Sequence, residues 1–381
     1  MTGPEGRVEL DAARQQQARE YARIRRRLSL LDLLLGGLYL LAWLVSGLNV
    51  LVRDWALALT SSPVLALLIA AAALTLPYAL IGLPLAYYSG YVLPHRYGQS
   101  TQNLSGWVSD QIKGAVLGGV LGVIVVEMVY GLIRLAPTLW WLYAGGVMLF
   151  FTVVLSTLAP VLIAPLFYRF TPLDDRDLSE RLIALAERAG TRVQGVFRFD
   201  MSSRTRSANA ALMGLGATRR IVLGDTLLDE FTPDEIETVL AHELGHHVHR
   251  DIPLLIAIDS VLTLLTFLGA HLALVGAVSR GWLANAADPA GLPLLALVIG
   301  AAGLATMPPG NAVSRWRERM ADSYAVQATG KPQAFIDAMT RLANQNLADA
   351  DPEPWVVWLL HSHPPIRERV AAAQRWLETG G

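Results

Sequence analysis

His242, Glu243 and His246 form an H-E-x-x-H pattern inside the stretch TPDEIETVLAHELGHHVHR, residues 232–250. Four residues apart, the two imidazoles lie one turn above each other on one helix face and can converge on a single ion. Glu243 is rotated by about 60° from His246 at 100° per residue, so its carboxylate reaches beside the ion without ligating it. That placement suits a general base acting on a metal-activated water. The ion expected is one Zn2+, and two histidines leave it short of a third protein ligand.

The third ligand must come from elsewhere in the chain. A metzincin pattern would place Gly at 249 and His at 252, but these positions are His249 and Ile252. His249 shares the face of His246 and lies near the helix end, where it suits the helix dipole better than the metal. Further on, NAVSRWRERMADSYAVQATG (311–330) has helical periodicity, with Glu318 and Asp322 four apart and Arg315 three before Glu318. Such a set often makes only a solvated charged face, yet it offers Glu318 as third ligand. Asp322 can then accept a hydrogen bond from the outer nitrogen of a ligating histidine. In HSHPPIRERV (361–370), His363 precedes two prolines and is held extended, pointed so that it can stabilise an oxyanion. Arg369 follows on the next helix and can brace the site or share that role.

These groups need elements to hold them. Thr232 caps the H-E-x-x-H helix, Pro233 suits its first position, and Glu235 completes a capping box. RDLSERLIALAERAG reads as a helix closed by Gly190, and GVFRFDMS, RSANAALMGLG and RRIVLGDTLL read as short strand-like pieces of a small sheet. An edge strand beside a metal-binding helix can take up an extended peptide by β-augmentation. Ser207–Leu212 is the expected edge, with Asn209 available to hold substrate backbone.

Composition decides where this apparatus sits. At 53% hydrophobic and 17% charged residues, the 381-residue chain reads as a membrane protein with a polar portion. A net charge of -1 and no basic stripe exclude a nucleic-acid footprint. With no cysteine, thiolate metal sites, disulfides and thiol catalysis are excluded, which leaves His and carboxylate ligands. Lysine occurs only at Lys113 and Lys331, and this Arg, Ala and Gly bias hints at a GC-rich bacterial gene.

Apolar runs at about 31–52, 63–92, 115–133, 139–167, 253–278 and 292–307 give six spans. Residues 1–30 form an Arg-rich N-terminal helix. Residues 31–168 hold four spans with a cytoplasmic loop at 93–114, residues 169–252 and 311–381 supply the two parts of a metallopeptidase domain, and 253–310 hold two spans between them. Arg7, Arg14, Arg19, Arg23, Arg25, Arg26 and Arg27 place the N-terminus in the cytoplasm by the positive-inside rule, and six crossings put both polar portions on that side. Glu127, Asp259 and His271 lie inside otherwise apolar spans, where ionisable groups usually face a cavity or a partner.

The motifs together resemble the type I CAAX prenyl protease family of integral-membrane zinc metalloproteases, and more loosely the related heat-shock membrane proteases of bacteria. The likeness is dense from SSRTRSANAALMGLGATRRIVLGDTLLDEFTPDEIETVLAHELGHH through RWRERMADSYA to HSHPPIRERV, and also touches HRYGQSTQNLSGWVSDQIKGAVLG. It implies a mainly α, polytopic membrane protein with a cytoplasmic zincin-like α+β metallopeptidase domain. The roles it implies are His242, His246 and Glu318 on zinc, Glu243 as general base, Asp322 behind a ligand and His363 near the substrate carbonyl. It also implies a water-filled chamber walled by the helices, although six spans is one fewer than eukaryotic members have.

The expected activity is zinc-dependent endoproteolysis at the cytoplasmic face of the plasma (inner) membrane. Substrates are peptides or proteins, either prenylated C-termini or damaged membrane-associated chains, with membrane lipid as the other partner. The competing reading is a multi-span transporter or zinc sensor with a regulatory metal site, which gives no reason for Glu243, the edge strand or His363.

Overall fold

In the computed structural model, which describes residues 8–214 and 216–379, the long apolar runs are helices and the polar portions between them carry one small sheet. Arg7, the first of the orienting arginines, falls outside the described residues. Asp11 opens α1 (Ala12–Ser46) by accepting hydrogen bonds from the N–H groups of Ala13 and Arg14. The Arg-rich helix and the first span, expected to divide near residue 30, are this single helix. No proline or glycine lies between Ala12 and Leu35 to end it where the composition changes. It stops short of residue 52 because Gly47 turns left-handed at φ 73°. The rest of that run makes α2 (Leu48–Leu59), about 18 Å long at 1.5 Å per residue and too short to cross a bilayer.

Next come α3 (Pro63–Arg96) and α4 (Leu104–Leu135), which consume most of the expected 93–114 loop. Asn103 restarts the helix early, its side chain accepting the Gly106 N–H at 2.8 Å. Then α5 (Trp140–Leu158) continues through a π turn to Phe167.

The first polar portion contains β1 (Phe170–Pro172), α6 (Arg176–Arg188), β2 (Val196–Phe199), β3 (Ala210–Met213), β4 (Arg220–Gly224), α7 (Asp225–Glu230) and α8 (Pro233–Val248). β1 was not foreseen, and the DTLL piece expected as strand is the start of α7. After it follow α9 (Asp251–Ser279) and α10 (Leu292–Thr329), then α11 (Pro332–Gln345), α12 (Pro354–Leu360) and α13 (Ile366–Thr379). Among the described residues six helices are long and apolar enough to cross a membrane, namely α1, α3, α4, α5, α9 and α10, the number expected from the apolar runs. The chain is a multi-pass membrane protein.

The sheet runs β1-β2-β4-β3, with β2 and β4 parallel and the other pairs antiparallel. β3 is an edge, with Ala210 opposite Leu223 and Met213 opposite Arg220. The open edge starts later than Ser207, because the Asn346 side chain donates to the Ala208 carbonyl (3.1 Å) and accepts its N–H (2.8 Å). Behind the sheet, Leu182, Leu185, Ile221, Leu240, Leu244 and Phe335 are almost fully buried and join it to α6, α8 and α11.

Both ends of the membrane bundle are tied by polar contacts. At one end the Gln15 amide donates to the Ala348 carbonyl (3.2 Å) and accepts from the Ala350 N–H (3.0 Å), while the Thr101 N–H donates to the Arg204 carbonyl (3.2 Å). The start of α1, the α3–α4 turn and both polar portions therefore share one side. At the other end Arg53, on α2, pairs with buried Asp288 at 2.9 Å. Of the ionisable residues in the spans, His271 Nδ1 accepts the Trp140 indole N–H (3.1 Å). Glu127 lies 3.9 Å from Arg134, whereas Asp259 is exposed.

One long element spans what was expected as a membrane run and a separate soluble helix. α10 passes through Pro308 and Pro309 without ending, so the expected boundary at 310 falls mid-helix. α10 then crosses α8 at Gly245, where an added Cβ would lie 2.9 Å from the Ala321 Cα. Gly245→Ala is expected to force these backbones apart, to cost about 1–3 kcal/mol as an overpacking change, and to weaken metal binding. Thermal unfolding and metal titration of the purified variant check this; wild-type values in both would show that the close approach is dispensable.

Candidate metal centre

The α8–α10 crossing sets the geometry of the polar groups around it. The capping box at Thr232 and Glu235 is made in both directions, with the Glu235 carboxylate accepting the Thr232 N–H at 2.7 Å. That fixes the start of α8, and three turns later His242 and His246 face α10. His242 Nε2 lies 3.3 Å from His246 Nε2 and 3.3 Å from Glu318 Oε2, and His246 Nε2 lies 3.4 Å from Glu318 Oε1. A tetrahedral ion bound at about 2.0–2.1 Å has ligand-to-ligand edges of about 3.3–3.4 Å. The two edges to Glu318 run to its two different oxygens, so two imidazoles and one carboxylate converge at spacings that suit such an ion. Glu318 Oε2 is buried without a properly formed hydrogen bond, although His363 Nδ1 approaches it to 2.8 Å. An orphaned carboxylate oxygen between two imidazoles fits a cation as its partner.

Each histidine is held from behind. His242 Nδ1 lies 2.9 Å from Asp322 Oδ1, and Arg369 donates to both oxygens of Asp322, at 2.8 and 2.5 Å. Arg369 is thereby a brace on Asp322, 3.3 Å from His242 Nδ1, and is buried. His246 Nδ1 lies 2.6 Å from Asp251 Oδ2, and Arg317 forms an ion pair with Asp251 while donating to the His249 carbonyl at 2.5 Å. The second brace, Asp251 with Arg317, was missed from the sequence. Its signal is faint: Arg250 takes a left-handed turn at φ 55°, ending α8 and swinging Asp251 back beneath His246. His249 caps the end of α8 and packs edge-on to Tyr324, and among the described residues only His242, His246 and Glu318 form a potential metal-holding group.

Burial opposes the charged form of His242, but Asp322 and Glu318 outweigh it and raise its pKa to about 9. Burial also opposes charge on His246, and there too the neighbouring carboxylates prevail and raise the pKa. Glu243 is pushed up by burial, which makes it a stronger base than an exposed carboxylate.

His242 and Glu243 open onto a cleft of about 590 Å³ that Asn209 and His363 also line, with Tyr21 and Arg25 of α1 on its wall. Asn209 stands at the start of β3, its carbonyl accepting the Gly224 N–H at 2.9 Å. Arg315 sits away from the ligands: it donates to the carbonyls of Val357 (2.9 Å) and His361 (2.5 Å), and so holds the turn that presents His363.

Residues 172–377 match the family described as peptidase family M48. The chain belongs to peptidase family M48. Residues 4–169 match the CAAX prenyl protease N-terminal family, described as five membrane helices. Here that stretch holds four helices of spanning length, with short α2 as a fifth. An uncharacterized metalloprotease, YhfN of Bacillus subtilis, is 31% identical over 94% of this chain and 85% of its own length. CAAX prenyl protease 1 of Saccharomyces cerevisiae is 30% identical over 77% and 68%. The crystal structure of S. mikatae Ste24p superposes with a TM-score of 0.86 at 25% identity, covering 96% of this chain and 90% of that one. This M48 member is a metalloendopeptidase of the CAAX prenyl protease family, embedded in a membrane by helices on both sides of its first polar portion.

As an M48 enzyme it needs its metal, and Asp251 offers a specific handle. Asp251→Asn keeps the side-chain shape but removes the charge facing His246, and is expected to weaken metal affinity about 10–100-fold. Competition with a chelator measures it; unchanged affinity would leave Asp251 a purely structural residue.

Proposed function

We propose that this protein is a zinc endopeptidase that cleaves peptide bonds at the cytoplasmic face of the plasma (inner) membrane. The observation carrying this reading is the triangle of His242, His246 and Glu318 donors with Glu243 beside it on one cleft. Zinc, when bound, supplies a Lewis acid that acidifies water and polarises a carbonyl. The chain's own groups do the rest. The substrate lies extended along β3, where unpaired backbone groups can bond it and Asn209 can hold it in register. Glu243 accepts the proton of the attacking water and passes it to the leaving amine, a role helped by its raised pKa. His363, 61% exposed in its side chain and held by the turn that Arg315 binds, donates to the developing oxyanion.

The cytoplasmic placement follows from arginines on the side shared by the N-terminus and both polar portions, with Arg53, Arg134 and Arg280 at the opposite end. The names of relatives, CAAX prenyl protease 1 and its homologue, support prenylated C-terminal peptides as the substrates of this chain. Comparing a farnesylated peptide with its unmodified twin tests that choice, and equal rates would favour general cleavage of membrane-associated chains.

Glu243→Gln is expected to reduce turnover by about 10²–10⁴-fold, the usual contribution of a positioned base, with metal content intact. Peptide cleavage by the purified protein, with and without chelator, measures it. Wild-type turnover in Glu243→Gln would overturn the mechanism.

A further inference from the structure

α12 has the sequence PWVVWLL, and only its middle is buried: Val356 is 0% exposed, whereas Trp355 is 58%, Trp358 62% and Leu360 39% exposed. Two tryptophans three apart share one helix face, and among the described residues both stay more than half exposed. Both ends of this helix are tied to membrane spans. Its capping residue Glu353 pairs with Arg26 of α1 at 3.5 Å, little more than one turn before the apolar run of α1 begins at about residue 31. Near its other end, the Leu359 carbonyl accepts from Asn311 (2.9 Å) and the Val357 carbonyl from Arg315 (2.9 Å), both on α10 one to two turns past its last apolar membrane residue, Met307. α12 is therefore strung between two spans at the level where each leaves the hydrocarbon.

We propose that α12 is an interfacial membrane anchor, its Trp355 and Trp358 face lying in the headgroup layer of the bilayer. Tryptophan favours that layer because its ring is amphipathic, and a short apolar face buried there gains from desolvation while its polar flanks stay wet. The charge alongside fits the same occupant. Arg23 and Arg27 of α1 are exposed next to the Arg26–Glu353 pair, positioned for lipid phosphate. His363 follows α12 by three residues, so the anchor sets the height of the active-site mouth above the membrane. This inference rests on the membrane spans and not on the proteolytic reading.

The chain has no cysteine, so a single one can be labelled without background. Trp358→Cys carrying a nitroxide, in nanodiscs containing phosphatidylglycerol, is expected to show an oxygen-to-nickel-complex accessibility ratio severalfold above that of Glu378→Cys, an exposed position on α13. A ratio equal to that of Glu378→Cys would place α12 in water and overturn the proposal. Protection from both reagents would mean that protein covers the face, such as a second copy of the chain, and would overturn it equally. Trp355→Cys serves in the same way if the first variant does not retain metal.

Discussion

The proposed metal centre depends on how closely α8 can approach α10. Gly245 lies between the two histidines in sequence and Ala321 lies between Glu318 and Asp322, so the point of contact is also the middle of the proposed ligand set. Backbones this near let short side chains meet: His, Glu and Asp reach across at 2.9 to 3.4 Å without leaving their helices. Rigid helices hold such positions better than loops do, and a ligand displaced by even a fraction of an ångström no longer fits a tetrahedral ion. The close approach is thus the condition for the chemistry and not one packing detail among many.

Around that contact the charges alternate in two matching arms, Arg369–Asp322–His242 and Arg317–Asp251–His246, which converge on Glu318. Buried ion pairs contribute little net stability, since desolvation consumes most of the attraction. What they do here is geometric. Each aspartate fixes the tautomer of one imidazole so that Nε2 points inward, and each arginine fixes the aspartate. Four carboxylates, Glu243, Asp251, Glu318 and Asp322, face two guanidiniums, so neutral imidazoles leave an excess of two negative charges, which complements a divalent cation.

Much of this was legible in the sequence because it rests on local rules. Periodicity, capping and motif spacing identified α8 and its two histidines, and apolar run length yielded six spans. The chain falls short of those rules where structure is decided by neighbours. α10 continues past two consecutive prolines, where local propensity would place a stop. Gly47 and Arg250 turn left-handed, and only Gly47 is a residue type that announces it. Asp251 was invisible because its partner sits across a break between helices, where no fixed spacing applies. The edge strand was recognised, but its open part was misplaced, since the Asn346 side chain that closes Ala208 comes from 138 residues away.

α10 also explains why a site of this kind belongs in a membrane protein. Its 38 residues carry a membrane span, then Asn311 and Arg315 on the α12 turn, then Glu318 and Asp322 at the metal centre. One uninterrupted helix therefore fixes the distance between the bilayer, the turn that presents His363, and Glu318, the proposed third ligand. A loop at residue 310 would have left those three free to move independently, with the ligand triangle closed only part of the time. The helix through Pro308 and Pro309 accepts the loss of backbone hydrogen bonds at the prolines, and in return couples the height of the membrane surface to the position of the reacting groups.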